Sequence, residues 1–375
     1  MTKGATRRTS VAALAVIAML AAACGGETST TTSGEVVATT DPGGGATTST
    51  AARQNTTTTN DATGEGCQPV TLQFSTPAPP ANVDAQAAHK ASEVLAEKTD
   101  GQFVLEVFDS ASLFDQTSEY PALESGDLAM AYETSHFIAD RVPAATILTI
   151  PYLIHSVDHL YAVIQSEVGQ DIFAAALEEA GVRPLTAIAN GQRNLMLTDA
   201  VDQVNTPEDM AGVRLRMANA PAWIMMGESL GANPTPIAFN EVYLALETGA
   251  IDAQDNALST AVNARFHEVS DQVALTGHFY NSIWPAINEE IYQSLCPEFQ
   301  QALQEAWIEA RDFGTEINDE QEAAAITTLQ EAGLSVYEPD VEAFREHVLA
   351  FYLENPDITS TFVEGHLDTI EELAP

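Results

Sequence analysis

The chain predicts an α/β fold in two domains, with helices covering a largely parallel sheet, and three observations predict it. Alternating apolar runs at 70–74 and 103–107 flank a helix-period stretch closed by Gly101, which makes a strand-helix-strand unit. The same alternation recurs down the chain, at 183–188 and again within 212–256. A helical stretch at 297–333, rich in Glu and Gln and interrupted only by Gly314, is too long for one small domain and reads as a bridge between two. With 375 residues, 45% of them hydrophobic, the chain can fill a core in each.

Taken in order, the amino end carries Lys3, Arg7 and Arg8, then an apolar run, then small residues before Cys24. These are the three parts of an export signal over 1–23, with an apolar core too short to span a bilayer comfortably. Ala21-Ala22-Ala23-Cys24 resembles the lipobox of bacterial lipoproteins, although Leu20 stands one position earlier than the usual leucine. Cys24 is therefore expected to be lipidated and to become the first mature residue, placing the protein outside the cytoplasm on the outer face of the membrane. Residues 24–66 are mostly Thr, Ser, Gly and Ala and lack apolar anchors, so they read as a disordered tether. Cys67 and Cys296 remain, either as a disulfide or as two separate thiols; no CxxC or Cys/His spacing points to a metal.

In the folded body, a helix is expected from Asp84 to Gly101, another at 118–124, a strand at 127–132 and a helix over 157–180. A strand at 183–188 then leads into a turn, NGQRNL, which places Arg193 just beyond a strand, where open α/β sheets gather their ligands. The densest stretch is 212–256. VRLRM alternates as a strand, Pro221 opens a helix that Gly231 closes, NPTP at 233–236 forms a rigid turn, Asn240 caps a second helix that Gly249 stops, and AIDAQ is a strand ending at Asp255 and Asn256. Trp284 and Tyr280 supply either aromatic contacts or core. The segment LSVYEP, a helix over 341–353 and an amphipathic tail complete the chain.

Fourteen Lys and Arg against 54 Asp and Glu give a net charge of -40, which excludes nucleic acid and anionic lipid as partners. The few cations are then informative. Past residue 66 there are ten, and three of them, Arg193, Arg214 and Arg216, fall within 193–216.

The segments EKTDGQFVLEVF, ALESGDLAMAYETS, VPAATILTIPYLI, VGQDIFAAALEEAGVRPL, NGQRNL, 212–256 and LTGHFY, in that order, resemble the substrate-binding proteins of tripartite ATP-independent periplasmic (TRAP) transporters, of the C4-dicarboxylate-binding type. The likeness runs over roughly residues 70 to 350. It implies a two-domain, periplasmic-binding-protein-like fold of the type II-like kind, closing a cleft on an organic acid, with no cofactor and with membrane transporter subunits as partners. Domain I would comprise 67–190 and about 282–321, and domain II 191–281 and about 322–375.

Arg216 stands where the family's GLKIRV carries its carboxylate-binding arginine, Arg193 where NGFRN carries its own, and Asn256 where DGQEN ends. Ala253 and Asp255 depart from that last motif, which puts its local geometry in question. A guanidinium suits the role because its planar fork matches a carboxylate. Phe239 would shape the apolar side, and Trp284 is counted with the ligand-binding set. Arg214 is expected to stand aside, although residues two apart on a strand share a face.

Two alternatives stay open from sequence alone. One is a binding protein serving an ATP-driven transporter or a sensor. The other is an extracytoplasmic enzyme acting on an organic acid, for which His155 and His159 are the nearest thing to a metal pair, without HExxH, a third ligand or GxSxG.

Overall fold

The computed structural model describes residues 67–375, so the expected export signal, Cys24 and the tether lie outside the described residues. The first unit is β1 (Val70–Ser75), a helix (Val83–Lys98) and β2 (Phe103–Phe108), with β1 and β2 parallel. Val83, Ala87, Ala91 and Leu95 recur at helical spacing and are buried, which is why this helix lies flat on its neighbours. The remaining strands are β3 (Met130–Glu133), β4 (Val182–Pro184), β5 (Ile188–Leu197), β6 (Arg214–Met217), β7 (Asn233–Pro236), β8 (Ala253–Ala257), β9 (Gln272–Asn288) and β10 (Ser335–Tyr337). They form one path, β2-β1-β3-β9-β5-β8-β6-β7, with β4 and β10 also pairing with β9.

The sheet is mixed rather than largely parallel. β9 runs antiparallel to β3, β4 and β5, and β5 runs antiparallel to β8. The cause is the 17-residue β9, which serves both halves of the molecule: its Gln272–Ile283 portion lies along β5, and Trp284 to Ile287 lie along β3.

Two turn signals resolve into strands. Asn190-Gly191 is a β-bulge inside β5, with a register shift between Ala189 and Gln192 and Gly191 at φ +77. A Cβ on Gly191 would stand 2.5 Å from that of Ala257. Arg193 is therefore within β5 and not in a turn beyond a strand. Asn233–Pro236, expected as a turn, is the edge strand β7, where proline is tolerated because the outer side has no ladder to complete. The expected helix over 157–180 is two, Val157–Gln165 and Glu167–Ala180. Ser166 ends the first and caps the second, its hydroxyl accepting from the Val168 N–H.

The long helix Pro297–Glu331 runs unbroken for 35 residues, roughly 52 Å at 1.5 Å per residue. Gly314 does not interrupt it. A Cβ there would lie 3.0 Å from Ile188 and 3.5 Å from Ala87 and Val83, so glycine is what lets the helix approach β5 and the first helix. Phe74, Phe103, Tyr132, Phe299 and Trp307 pack one core, and Leu195, Leu215, Trp223, Phe279, Phe344 and Tyr352 belong to a second. Cys67 and Cys296 are disulfide-bonded, with Cα atoms 5.8 Å apart, which ties the start of the body to the start of the long helix.

Candidate functional site

Two arginines stand two apart on β6, a spacing that shares a face, and their contacts separate them. Arg214 opens the strand, where Asp252 Oδ2 accepts from both its backbone N–H and its Nε at 2.9 Å. Arg216 lies two residues on, toward the carboxyl end, and is 2% exposed. Its Nε donates to the Ile237 carbonyl and its Nη2 to Gln116 Oε1, both at 2.8 Å, and the guanidinium lies 5.9 Å from the Phe239 ring centre. Of the eight arginines in the described body, seven pair with a carboxylate and Arg216 does not. Burial presses its guanidinium down to about 9, so it remains a cation at neutral pH.

Arg193, on β5, meets a different environment. Its Nε donates to Asp255 Oδ2 at 2.6 Å and its Nη2 to the Asp255 carbonyl and Oδ1 at 2.5 and 3.0 Å. The register explains the contact. Arg193 faces Ala257 across the ladder, and Asp255 is its diagonal neighbour on the same face. His278 Nε2 stands 3.2 Å from the same carboxylate. Burial would raise the Asp255 carboxyl, but the Arg193 charge and the His278 and Arg193 hydrogen bonds hold it below the usual range. The Arg193 guanidinium also lies 4.7 Å from the Trp223 ring, on which His136 stacks at 3.8 Å.

Both arginines line a cavity of about 80 Å³. Segments after β1 and β2 line it with Asn82, Asp84 and Gln116, and later segments with Arg193, Arg216, Trp223, Phe239, Asn256 and Thr260. Asn190, Asn281 and Ile283 lie where β5 and β9 cross. A wider hollow of about 520 Å³ elsewhere is lined by Pro221, Ile224, Met225, Phe351 and others, with Glu228 as its one charged group, so it offers an anion no cation.

Of the residues singled out in the sequence, Arg216, Arg193, Asn256 and Phe239 meet at this cavity. Asn256 Nδ2 donates to Gln254 Oε1 at 2.6 Å. Trp284 does not belong with them. It is fully buried, its ring centre is 5.0 Å from that of Phe173, and its indole N–H donates to Ser282 Oγ at 3.0 Å, because β9 turns that face to the core where it pairs with β3. His159 uses both ring nitrogens, one for the His155 N–H and one for the Ile370 carbonyl, and so is a structural residue.

Gln116, Asp84, Asn82 and Trp223 escaped the sequence reading. Asn82-Val83-Asp84 could have been flagged: it opens the helix after β1, and ligand groups collect at the carboxyl ends of the strands of open sheets. Gln116 lies in a loop with no pattern to betray it.

Residues 74–355 match the DctP family, described as bacterial extracellular solute-binding protein, family 7. The sialic acid-binding periplasmic protein SiaP of Vibrio cholerae is 32% identical over 284 residues, 76% of this chain and 88% of that protein. The 2,3-diketo-L-gulonate-binding periplasmic protein YiaO of Escherichia coli is 33% identical, over 67% of this chain and 75% of its own. A TRAP periplasmic solute-binding protein from Roseobacter denitrificans, solved with bound 3-deoxy-D-manno-oct-2-ulosonic acid, superposes with a TM-score of 0.77 at 37% identity, covering 81% of this chain and 99% of that one. The chain therefore belongs to the DctP family of extracellular solute-binding proteins of TRAP transporters.

Proposed function

We propose that this chain captures a sugar acid outside the cytoplasm, gripping its carboxylate with Arg216, and delivers it to the membrane subunits of a TRAP transporter. The observation that carries the reading is the buried Arg216, the one arginine of the described body left without a carboxylate. The Asp255 charge favours the Arg216 cation from a distance without pairing with it; a buried cation with no contacting carboxylate is costly, and a bound anion offsets that cost. Gln116 Oε1 receives the Arg216 Nη2 at 2.8 Å and the Phe239 N–H at 3.0 Å. Two donors converging on one oxygen is the arrangement a carboxylate oxygen takes, so the ligand would displace the Gln116 carboxamide. Arg193 borders the ligand with its charge already answered by Asp255, Asn256 contributes its remaining amide capacity, and Phe239 closes the apolar side.

The sugar part of the reading rests on buried polar atoms at the cavity. Asn82 Oδ1, Asn190 Oδ1, Asn281 Oδ1 and Trp223 Nε1 have no partner within the protein. Three acceptors are open to donors, which ligand hydroxyls can supply. The relatives above bind sialic acid, 2,3-diketo-L-gulonate and 3-deoxy-D-manno-oct-2-ulosonic acid, which are hydroxylated acids. Residues 67–190 with 282–321, and 191–281 with 322–375, are proposed as the two domains that open and close on the ligand. Lipidation of Cys24 would keep the body beside its transporter.

Mass spectrometry of small molecules released from the purified protein, followed by a melting-shift panel of sugar acids, identifies the ligand; a matching acid at a hundred times its Kd stabilises by about 2.7 kcal/mol. Arg216→Lys should then weaken it ~100-fold, because a point charge replaces the fork, with melting of the free protein unchanged. Equal affinity in the variant would remove Arg216 from the carboxylate.

A further inference from the structure

We infer that Asp84 makes this chain select acids with a single carboxylate, by presenting a second negative wall to the far end of the ligand. The inference rests on the sugar-acid reading above and deepens it. Asp84 sits in the first turn of the helix Val83–Lys98 and lines the same cavity as Arg216. Its position is fixed twice: Asn190 Nδ2 donates to its Oδ1 at 3.0 Å, and the Tyr132 hydroxyl donates to its backbone carbonyl at 2.7 Å.

The donation from Asn190 also fixes that carboxamide, so what Asn190 offers the cavity is its oxygen, which is buried without a partner in the protein. Asn82, two residues before Asp84, likewise has its Oδ1 buried and unpartnered. This part of the wall is therefore built of acceptors around a carboxylate. Although burial raises the Asp84 carboxyl to about 6, it is still mostly ionised at neutral pH.

The one cation positioned to relieve it is Arg193, which acts on Asp84 electrostatically but has its donors committed to Asp255. Ligand hydroxyls at this end can donate to the unpartnered Asn82 and Asn190 oxygens and add a donor to the one Asp84 already takes from Asn190. A second ligand carboxylate brings no donor and meets the like charge of the Asp84 carboxylate. Selection against diacids thus comes from repulsion at Asp84, and affinity for the common carboxylate from Arg216.

Matched acids test this. D-Gluconate and D-galactonate are compared by calorimetry at pH 7.5 with D-glucarate and D-galactarate, which keep the carbon chain and internal hydroxyls but end in a second carboxylate. The native protein should bind its better aldonate at least ~100-fold tighter than the corresponding aldarate. Asp84→Asn should narrow the ratio to under ~10-fold by improving the aldarate, and Asp84→Ser gives the same readout if the first variant melts early. Equal binding of aldonate and aldarate by the native protein, or an unchanged ratio in both variants, overturns the role of Asp84. If no aldonate and no acid of the melting panel binds, the sugar-acid reading itself falls, a distinguishable result.

Discussion

Arg193 and Arg216 are both buried at one cavity, on strands two places apart in the sheet, and they differ in what neutralises them. Arg193 has Asp255, with His278 beside it; Arg216 has a carbonyl and a carboxamide. The contrast teaches how one chain uses the same side chain for two purposes. A guanidinium paired in contact with a carboxylate of the fold becomes structure, and one that feels the Asp255 charge only from a distance is left to receive an anion. The largest expected effect breaks the first member of the pair. Asp255→Asn leaves Arg193 uncompensated in the core and should lower stability by about 3–5 kcal/mol in urea denaturation at pH 7. The sign with pH follows from the depressed Asp255 carboxyl: its contribution is full above the unfolded value of about 3.9 and is lost as pH falls toward the folded value. The gap between native protein and variant should therefore narrow below about pH 4. A loss under 1 kcal/mol at pH 7 would mean that Arg193 does not depend on Asp255.

A second change sharpens the comparison by converting Arg216 into the likeness of Arg193. Gln116→Glu places a carboxylate where Oε1 already receives the Arg216 Nη2 and the Phe239 N–H. The built-in acid should compete with ligand, weakening sugar-acid binding by ~10-fold to ~100-fold while raising the melting temperature of the free protein. Gln116→Ala removes the stand-in without adding charge and should not weaken binding by that mechanism. If Gln116→Glu binds acid as well as the native protein, Gln116 does not hold the place of the ligand carboxylate.

How much of this could be read beforehand follows from what carried the signal. Strand and helix periodicity marked β1, β2, the first helix, the long helix and the helix Val341–Leu353, because each buries one face against a core. Glycine and proline misled wherever tertiary context decided their meaning: Gly191 marks a bulge, Gly314 a close helix approach, and the prolines of β7 an edge. At the cavity, Arg216 and Arg193 stood out because arginine is scarce in so acidic a chain. Asp84 and Gln116 did not, since carboxylates are everywhere in the sequence and a loop glutamine has no period. Their importance comes from folding distant segments together, as with Gln116 and Arg216, which no local pattern encodes.

The smallest effect separates two tryptophans in the way the first separates two arginines. Trp223 borders the cavity with its indole nitrogen unpartnered in the protein, whereas Trp284 donates to Ser282 Oγ and packs on Phe173. Trp284→Phe removes volume from a closed core and leaves Ser282 without its donor, so stability should fall by about 1–2 kcal/mol. The ligand Kd should stay within about twofold, since nothing at the cavity moves. Trp223→Phe should do the reverse, weakening the ligand several-fold through the lost N–H and the weaker platform under Arg193, with a smaller change in stability. Calorimetric Kd values and urea midpoints for the two variants give four numbers. If Trp284→Phe weakens binding while its midpoint stays at the native value, β9 presents that residue to the ligand after all, and the division of the two aromatic side chains between core and cavity is wrong.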